Sequence, residues 1–278
     1  MRLDAHQHFW SYDALQYPWI PVGSPLHRTW LPPDLVALQK PLGFEGSIAV
    51  QARQVIEESD WLLALAAQHD VIKGVVGWVD LRSPAVEKDL ARLAANPKFV
   101  GVRHVVQDEV DDQFMLAPAF LRGLSLLKQY NLTYDFLIFP HQLEAAIEVA
   151  QRLPEQAFVL DHIAKPPIKT GEIEPWKKKL QRLASLPNVS CKVSGMLTEA
   201  DHQRWQPADF EPYLDVVFGA FTPQRLMYGS DWPVCLLAGQ YEQAYRLVAD
   251  YAQHLSPAEQ AGLWGMNAAR FYLERTKA

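Results

Sequence analysis

Along this chain, short runs rich in β-branched and apolar residues alternate with longer runs in which apolar residues recur at three- and four-residue intervals. The short runs predict strands at residues 2–8, 46–52, 72–80, 99–106, 132–138, 157–163, 188–194 and 225–231. The longer ones predict amphipathic helices that include 57–70, 84–96, 118–130, 141–153 and 242–255. Ser83-Pro84 and Ala117-Pro118 open two of these as helix N-termini often open. Eight successive β-then-α units predict an α/β fold, a (β/α)8 TIM barrel, with residues 1–278 as one domain. A doubly wound open sheet is the alternative, but the chain has neither GxGxxG nor GxxxxGK[ST]. Two irregular stretches, 9–31 and 195–209, follow strands one and seven and are placed to fold over the barrel mouth.

Composition supports a packed chain. Hydrophobic residues make up 49%, including nine Trp, ten Tyr and twelve Phe, ample material for a large core. A net charge of −6 gives no basic footprint for nucleic acid, and WKKKLQR at 176–182 reads as a solvated helix face. No run approaches the ~18 to 20 apolar residues that a membrane span needs, and the first residues lack a signal-peptide pattern. Cys191 and Cys235 are too few for a disulfide framework, which makes the reducing cytoplasm the expected compartment. Oligomeric state is left open.

In such a barrel the chemistry sits at the C-terminal strand ends. Those ends are polar here: His6 and His8, Gln51 and Arg53, Arg103 and His104, Asp135, Asp161 and His162, Lys192 and Ser194, and Asp231. Alternation along a strand puts His6 and His8 on one face and Gln7 on the other. Two imidazoles on one face suit a metal ion, or two donors aimed at a single oxygen. Packing among aromatic residues explains an isolated HxH equally well; His162 and Asp231 at matching strand ends favour a site.

The segments DAHQHFW (4–10), QARQ (51–54), GVRHVVQ (101–107), LDHIAKPPI (160–168), CKVSGM (191–196), YGSDWPV (228–234) and GMNAARFY (265–272) together resemble the amidohydrolase-2 type proteins. Within them the chain is most similar to the sugar-acid lactonases of the L-fuconolactonase and L-rhamnonolactonase group. The resemblance runs from residue 4 to 272. It implies hydrolysis of a sugar-acid lactone, with His6, His8, His162 and Asp231 as the catalytic set and as ligands of a single divalent ion, zinc, if one is used. It further implies Arg53 and Arg103 as substrate arginines. Many amidohydrolases add another histidine and a carboxylated lysine to hold two metals; this chain has Lys192 on strand seven and Arg103 on strand four, so a binuclear centre does not follow. Some relatives work without metal, and that alternative stays open.

Lactone hydrolysis needs an activated water, a polarised carbonyl and a proton for the departing alkoxide. Asp231 is the candidate base with His162 beside it. Carbonyl polarisation falls either to zinc on His6, His8 and His162 or to the imidazoles and Arg103 directly. Lys192 is a candidate substrate donor or a rim ion pair, and Trp10 and Trp232 are candidate stacking surfaces for a sugar ring. Both arginines are alternatively rim ion pairs. A nucleophilic serine is disfavoured by the lack of GxSxG. A metal-dependent decarboxylase or hydratase, and a non-catalytic sugar-acid binder, are the competing readings.

Overall fold

The computed structural model describes residues 1–274. All eight predicted strands form: β1 Leu3–Gln7, β2 Gly46–Val50, β3 Ile72–Gly77, β4 Phe99–Val105, β5 Thr133–Leu137, β6 Phe158–Leu160, β7 Val189–Val193 and β8 Leu226–Tyr228. They pair in parallel in sequence order, which excludes the doubly wound alternative, because that fold reverses strand order at its centre. The ends of the sheet then meet. His8 N donates to Trp232 O at 2.7 Å and Asp231 N to His6 O at 2.9 Å, closing the barrel beside the residues of interest.

Helices α1 Pro32–Gln39, α2 Ile56–Gln68, α3 Val86–Ala94, α4 Pro118–Leu126, α5 Leu143–Arg152, α6 Trp176–Ala184, α7 Glu211–Phe221, α8 Tyr241–Tyr251 and α9 Pro257–Ala261 surround it. The run at 176–182 is the exposed basic face of α6, whose Trp176, Leu180 and Leu183 are buried. The helical pattern did not single out α1 or α7. Helix α1 is short and buries only Pro32, Leu35 and Gln39, whereas α7 buries Tyr213, Leu214, Val216, Val217, Phe218 and Phe221 and so has no single apolar stripe. No helix among the described residues is long and apolar enough to cross a membrane.

The core has two parts. Outward-facing strand residues such as Tyr134, Phe136 and Phe158 pack under the helices, with Phe136 and Phe158 stacked at 4.7 Å. Inside the barrel, Leu3, Ala5, Ile48, Val50, Val76, Val100, Val159 and Met227 form an apolar plug with Ala268 and Tyr272 from the C-terminal segment. Asn267 anchors that segment by donating from Nδ2 to the carbonyls of Pro223 and Leu226. The charged side chains inside the barrel therefore lie above a largely apolar floor.

Candidate active site

Strand β1 changes register between Asp4 and Gln7. His6 lies within that irregularity and brings its Nε2 to 3.2 Å from His8 Nε2, while Gln7 turns away to donate to Ser47 Oγ. Asp231, just beyond β8, brings Oδ1 to 3.4 Å from His8 Nε2 and to 3.8 Å from the Nε2 atoms of both His6 and His162. All four side chains are nearly or wholly buried.

His162 reaches the site through an unusual backbone. Residues 162 to 165 all have positive φ, between 48° and 60°, so four successive L-residues turn left-handed. Left-handed geometry costs roughly 1–2 kcal/mol per non-glycine residue, and the turn is held by its surroundings. Trp176 Nε1 donates to Ile163 O, and His162 Nδ1 lies 2.9 Å from Ser194 Oγ. Gly195 (φ 62°) makes room for this, since a Cβ there would fall 2.4 Å from His162 Nδ1.

Below the imidazoles lies a layer of buried charge. Lys192 Nζ sits 2.6 Å from Asp135 Oδ2, 3.0 Å from Asp161 Oδ1 and 3.1 Å from His6 Nδ1. Arg103 donates to Asp161 Oδ2 at 3.1 Å and to both the carbonyl and side-chain oxygens of Gln51, and its Nη1 is 3.2 Å from His6 Nε2. Tyr272 donates to Asp135 from below.

Burial holds His6 and His162 well below the usual imidazole range, despite neighbouring carboxylates, so both are neutral near pH 7. Burial alone would raise Asp231, but His162, the hydrogen bond and charge of His8, and Lys165 outweigh it and bring the carboxyl below its ordinary value. Burial pushes Asp135 up to about 6 against Lys192, whereas Lys192, His6 and Arg103 overcome burial at Asp161 and hold it well below the carboxylate range.

Above the site opens a cavity of about 430 Å³, lined by His8, Gln51, Arg103, His162 and Asp231 at its base. Its walls come from loops. Trp19 belongs to the stretch after β1, and Thr198, Glu199 and His202 to the stretch after β7, so both irregular segments do border the mouth. Lys165, also on the wall, pairs with Glu199 at 3.8 Å.

Other expected site residues lie elsewhere. Lys192 is wholly buried beneath the imidazoles and is neither a substrate donor nor a rim pair, because on β7 it points inward between two carboxylates. Arg53 forms a rim ion pair with Glu58 at 3.5 Å, donates to Gln16 and lies over the Tyr17 ring, away from the cavity lining. Trp10 is buried under the first loop, donating to Arg28 O, and Trp232 packs against Phe9 and Trp30; neither offers a face to a ligand. Trp19, Lys165, Glu199 and His202 went unassigned. Their one signal was position, within or beside the segments following strands one, six and seven.

The ligand atoms of His6, His8 and Asp231 lie close enough together to hold a metal ion. Two ligands at 2.0–2.1 Å from a tetrahedral zinc would be about 3.3–3.4 Å apart, and the 3.2, 3.4 and 3.8 Å separations among these three residues bracket that spacing. The donor set thus fits one divalent ion in kind and spacing.

The family model described as Amidohydrolase matches residues 3–273. An L-fucono-1,5-lactonase of Burkholderia multivorans is 42% identical over 98% of this chain and 96% of its own length. A crystal structure of an amidohydrolase from Burkholderia multivorans with bound HEPES superposes with a TM-score of 0.93 at 42% identity, covering 98% of this chain and 99% of that one. A second, with bound zinc, gives 0.91 at 43% identity over the same shares.

Proposed function

The chain belongs to the amidohydrolase family, and from that premise we propose that it hydrolyses the ring ester of a sugar-acid lactone, L-fuconolactone or a close relative, to the free aldonic acid. The observation that carries this reading is the convergence of an ionised Asp231, three buried imidazoles and a fixed guanidinium at the base of one cavity. The L-fucono-1,5-lactonase similar over nearly the whole chain supports the substrate class.

In this mechanism the lactone carbonyl rests against Arg103, whose side chain is locked by Asp161 and Gln51 and so needs no reorganisation. Asp231 takes a proton from a water held between it and His162. The water oxygen forms a bond to the carbonyl carbon, and negative charge moves to the carbonyl oxygen beside Arg103. As the carbonyl reforms, the ring C–O bond breaks and the proton on Asp231 passes to the departing alkoxide. A divalent ion, with zinc as the candidate, would be held by His6, His8 and Asp231 and would supply a Lewis acid at the carbonyl. Wall residues Trp19, Lys165, Glu199 and His202 would meet the sugar carbons and hydroxyls.

The test is hydrolysis of L-fucono-, L-galactono-, D-arabinono- and L-rhamnonolactone, followed by acid release with and without chelator. Turnover is expected, with Asp231→Asn lowering kcat by about 10²- to 10⁴-fold while the fold is kept. No turnover on any member would refute the lactonase reading, and an Asp231→Asn protein with wild-type rate would refute the base.

A further inference from the structure

Lactone hydrolysis puts negative charge on two oxygens in turn, the carbonyl oxygen when water adds and the ring oxygen when the C–O bond breaks. Besides imidazoles, the cavity lining holds two cations, Arg103 and Lys165. Arg103 lies at the floor, already tied to Asp161 and Gln51, and the proposed carbonyl rests against it. Lys165 stands on the wall.

The Lys165 ammonium is held in place, yet among the described residues it makes no hydrogen bond. Its backbone ends the left-handed turn, with Lys165 N donating to His162 O at 2.8 Å, so both side chains enter the same cavity from one short segment. The side chain is only 18% exposed. Its Nζ lies 5.6 Å from the centre of the Phe139 ring and 3.8 Å from Glu199 Oε1. Both contacts attract a cation, and both are too long for a hydrogen bond. An ammonium stripped of most of its water keeps three N–H donors in need of an oxygen. Lys165 is also near enough to Asp231 to help hold that carboxyl below its ordinary value, so the unclaimed donors and the candidate base face one cavity.

We propose that Lys165 is the catalytic residue that meets the departing ring oxygen. The carbonyl and ring oxygens of a lactone are bonded to one carbon, so a carbonyl resting on Arg103 leaves the ring oxygen above the floor, toward the walls. As the carbonyl reforms, the electron pair of the breaking C–O bond passes to the ring oxygen, and a Lys165 N–H shares that charge. The proton carried by Asp231 completes the new hydroxyl, and Lys165 keeps its own. Such a hydrogen bond strengthens as the charge develops, so it favours the transition state over the bound lactone. This role rests on the lactonase reading and ties Lys165 to a single substrate atom.

The test compares native and Lys165→Met proteins on L-fuconolactone, which expels an alkoxide, and on dihydrocoumarin, which expels a phenoxide that needs little help. On the sugar lactone kcat is expected to fall about 10²-fold with KM within about threefold. On dihydrocoumarin kcat/KM is expected to fall less than about fivefold. A raised KM with kcat kept would make Lys165 a binder of substrate hydroxyls, and equal losses on both lactones would make it a general support of the site. Either result overturns the proposal, as do native rates. If the native chain leaves dihydrocoumarin untouched, the split between kcat and KM on the sugar lactone decides. Lys165→Gln takes the place of the methionine variant if circular dichroism shows that the latter has lost its fold. A native chain that turns over no lactone removes the lactonase reading itself, whereas native turnover with an unimpaired Lys165→Met protein removes only the role of Lys165.

Discussion

Lys192 and Lys165 each lie within 4 Å of a carboxylate, but in different surroundings. Lys192 and its partners Asp135 and Asp161 have no solvent exposure, and the closest contact is 2.6 Å. Lys165 and Glu199 stand 3.8 Å apart at the cavity wall, each a little under one-fifth exposed. The lower group is laid down by strands β5 and β7 and the end of β6, so its geometry is set when the barrel closes. The upper pair joins two loops. In the proposed site the barrel divides its labour by depth, with fixed charge packed beneath the imidazoles and more exposed charge above, where a ligand would enter.

The largest effect is expected from breaking the lower layer. Lys192→Met leaves two buried carboxylates short of a cation and should destabilise the fold by about 3–5 kcal/mol in urea unfolding. A loss below about 1 kcal/mol would mean that Arg103 and Tyr272 already satisfy those carboxylates. Next comes the junction between layers. Gly195→Ala drives a methyl into the His162 ring at a left-handed position, and kcat should fall about 10²-fold through misplacement, with the KM change smaller.

The pH profile sharpens the same contrast. The proposed mechanism uses ionised Asp231, whose folded-state carboxyl is lowered, so the acid limb of kcat/KM should lie below the ordinary aspartate value of about 3.9. A limb rising only above about pH 5 would point to a histidine as the titrating base. The smallest stability effect belongs to the upper layer. Glu199→Gln should change stability by about 0.5 kcal/mol or less. It should still shift KM among lactones of different hydroxyl configuration, and an unchanged KM across them would remove Glu199 from recognition.

The barrel was legible in the sequence because its strands are short and apolar and alternate with amphipathic helical runs. The pairing of His6 with His8 was legible because a strand alternates, and Asp231 and His162 because they end matching strands. Depth was not. A residue near a strand end can sit at the cavity floor like Arg103 or one layer beneath it like Lys192, and alternation gives the face but not the level. Trp10 and Trp232 neighbour site residues in sequence yet pack behind them, while Trp19, inside an aperiodic loop, reaches the cavity. Arg53 and Arg103 both fall near the end of a predicted strand, but Arg103 lies within β4 and points into the barrel, whereas Arg53 lies beyond β2 and is taken by Glu58 on α2, a partner that no local pattern announces.

The left-handed turn at residues 162–165 gives this site a chirality problem. For those four residues the chain follows a path better suited to D-amino acids, built from L-residues that include the β-branched Ile163. Glycine is the one coded residue at ease on such a path, but it would give up the side chains of His162 and Lys165 and the packing of Ile163. The turn therefore sets side-chain placement and foldability against each other at single positions, and a selection for thermal robustness alone would be free to rewrite a segment on which the proposed chemistry depends.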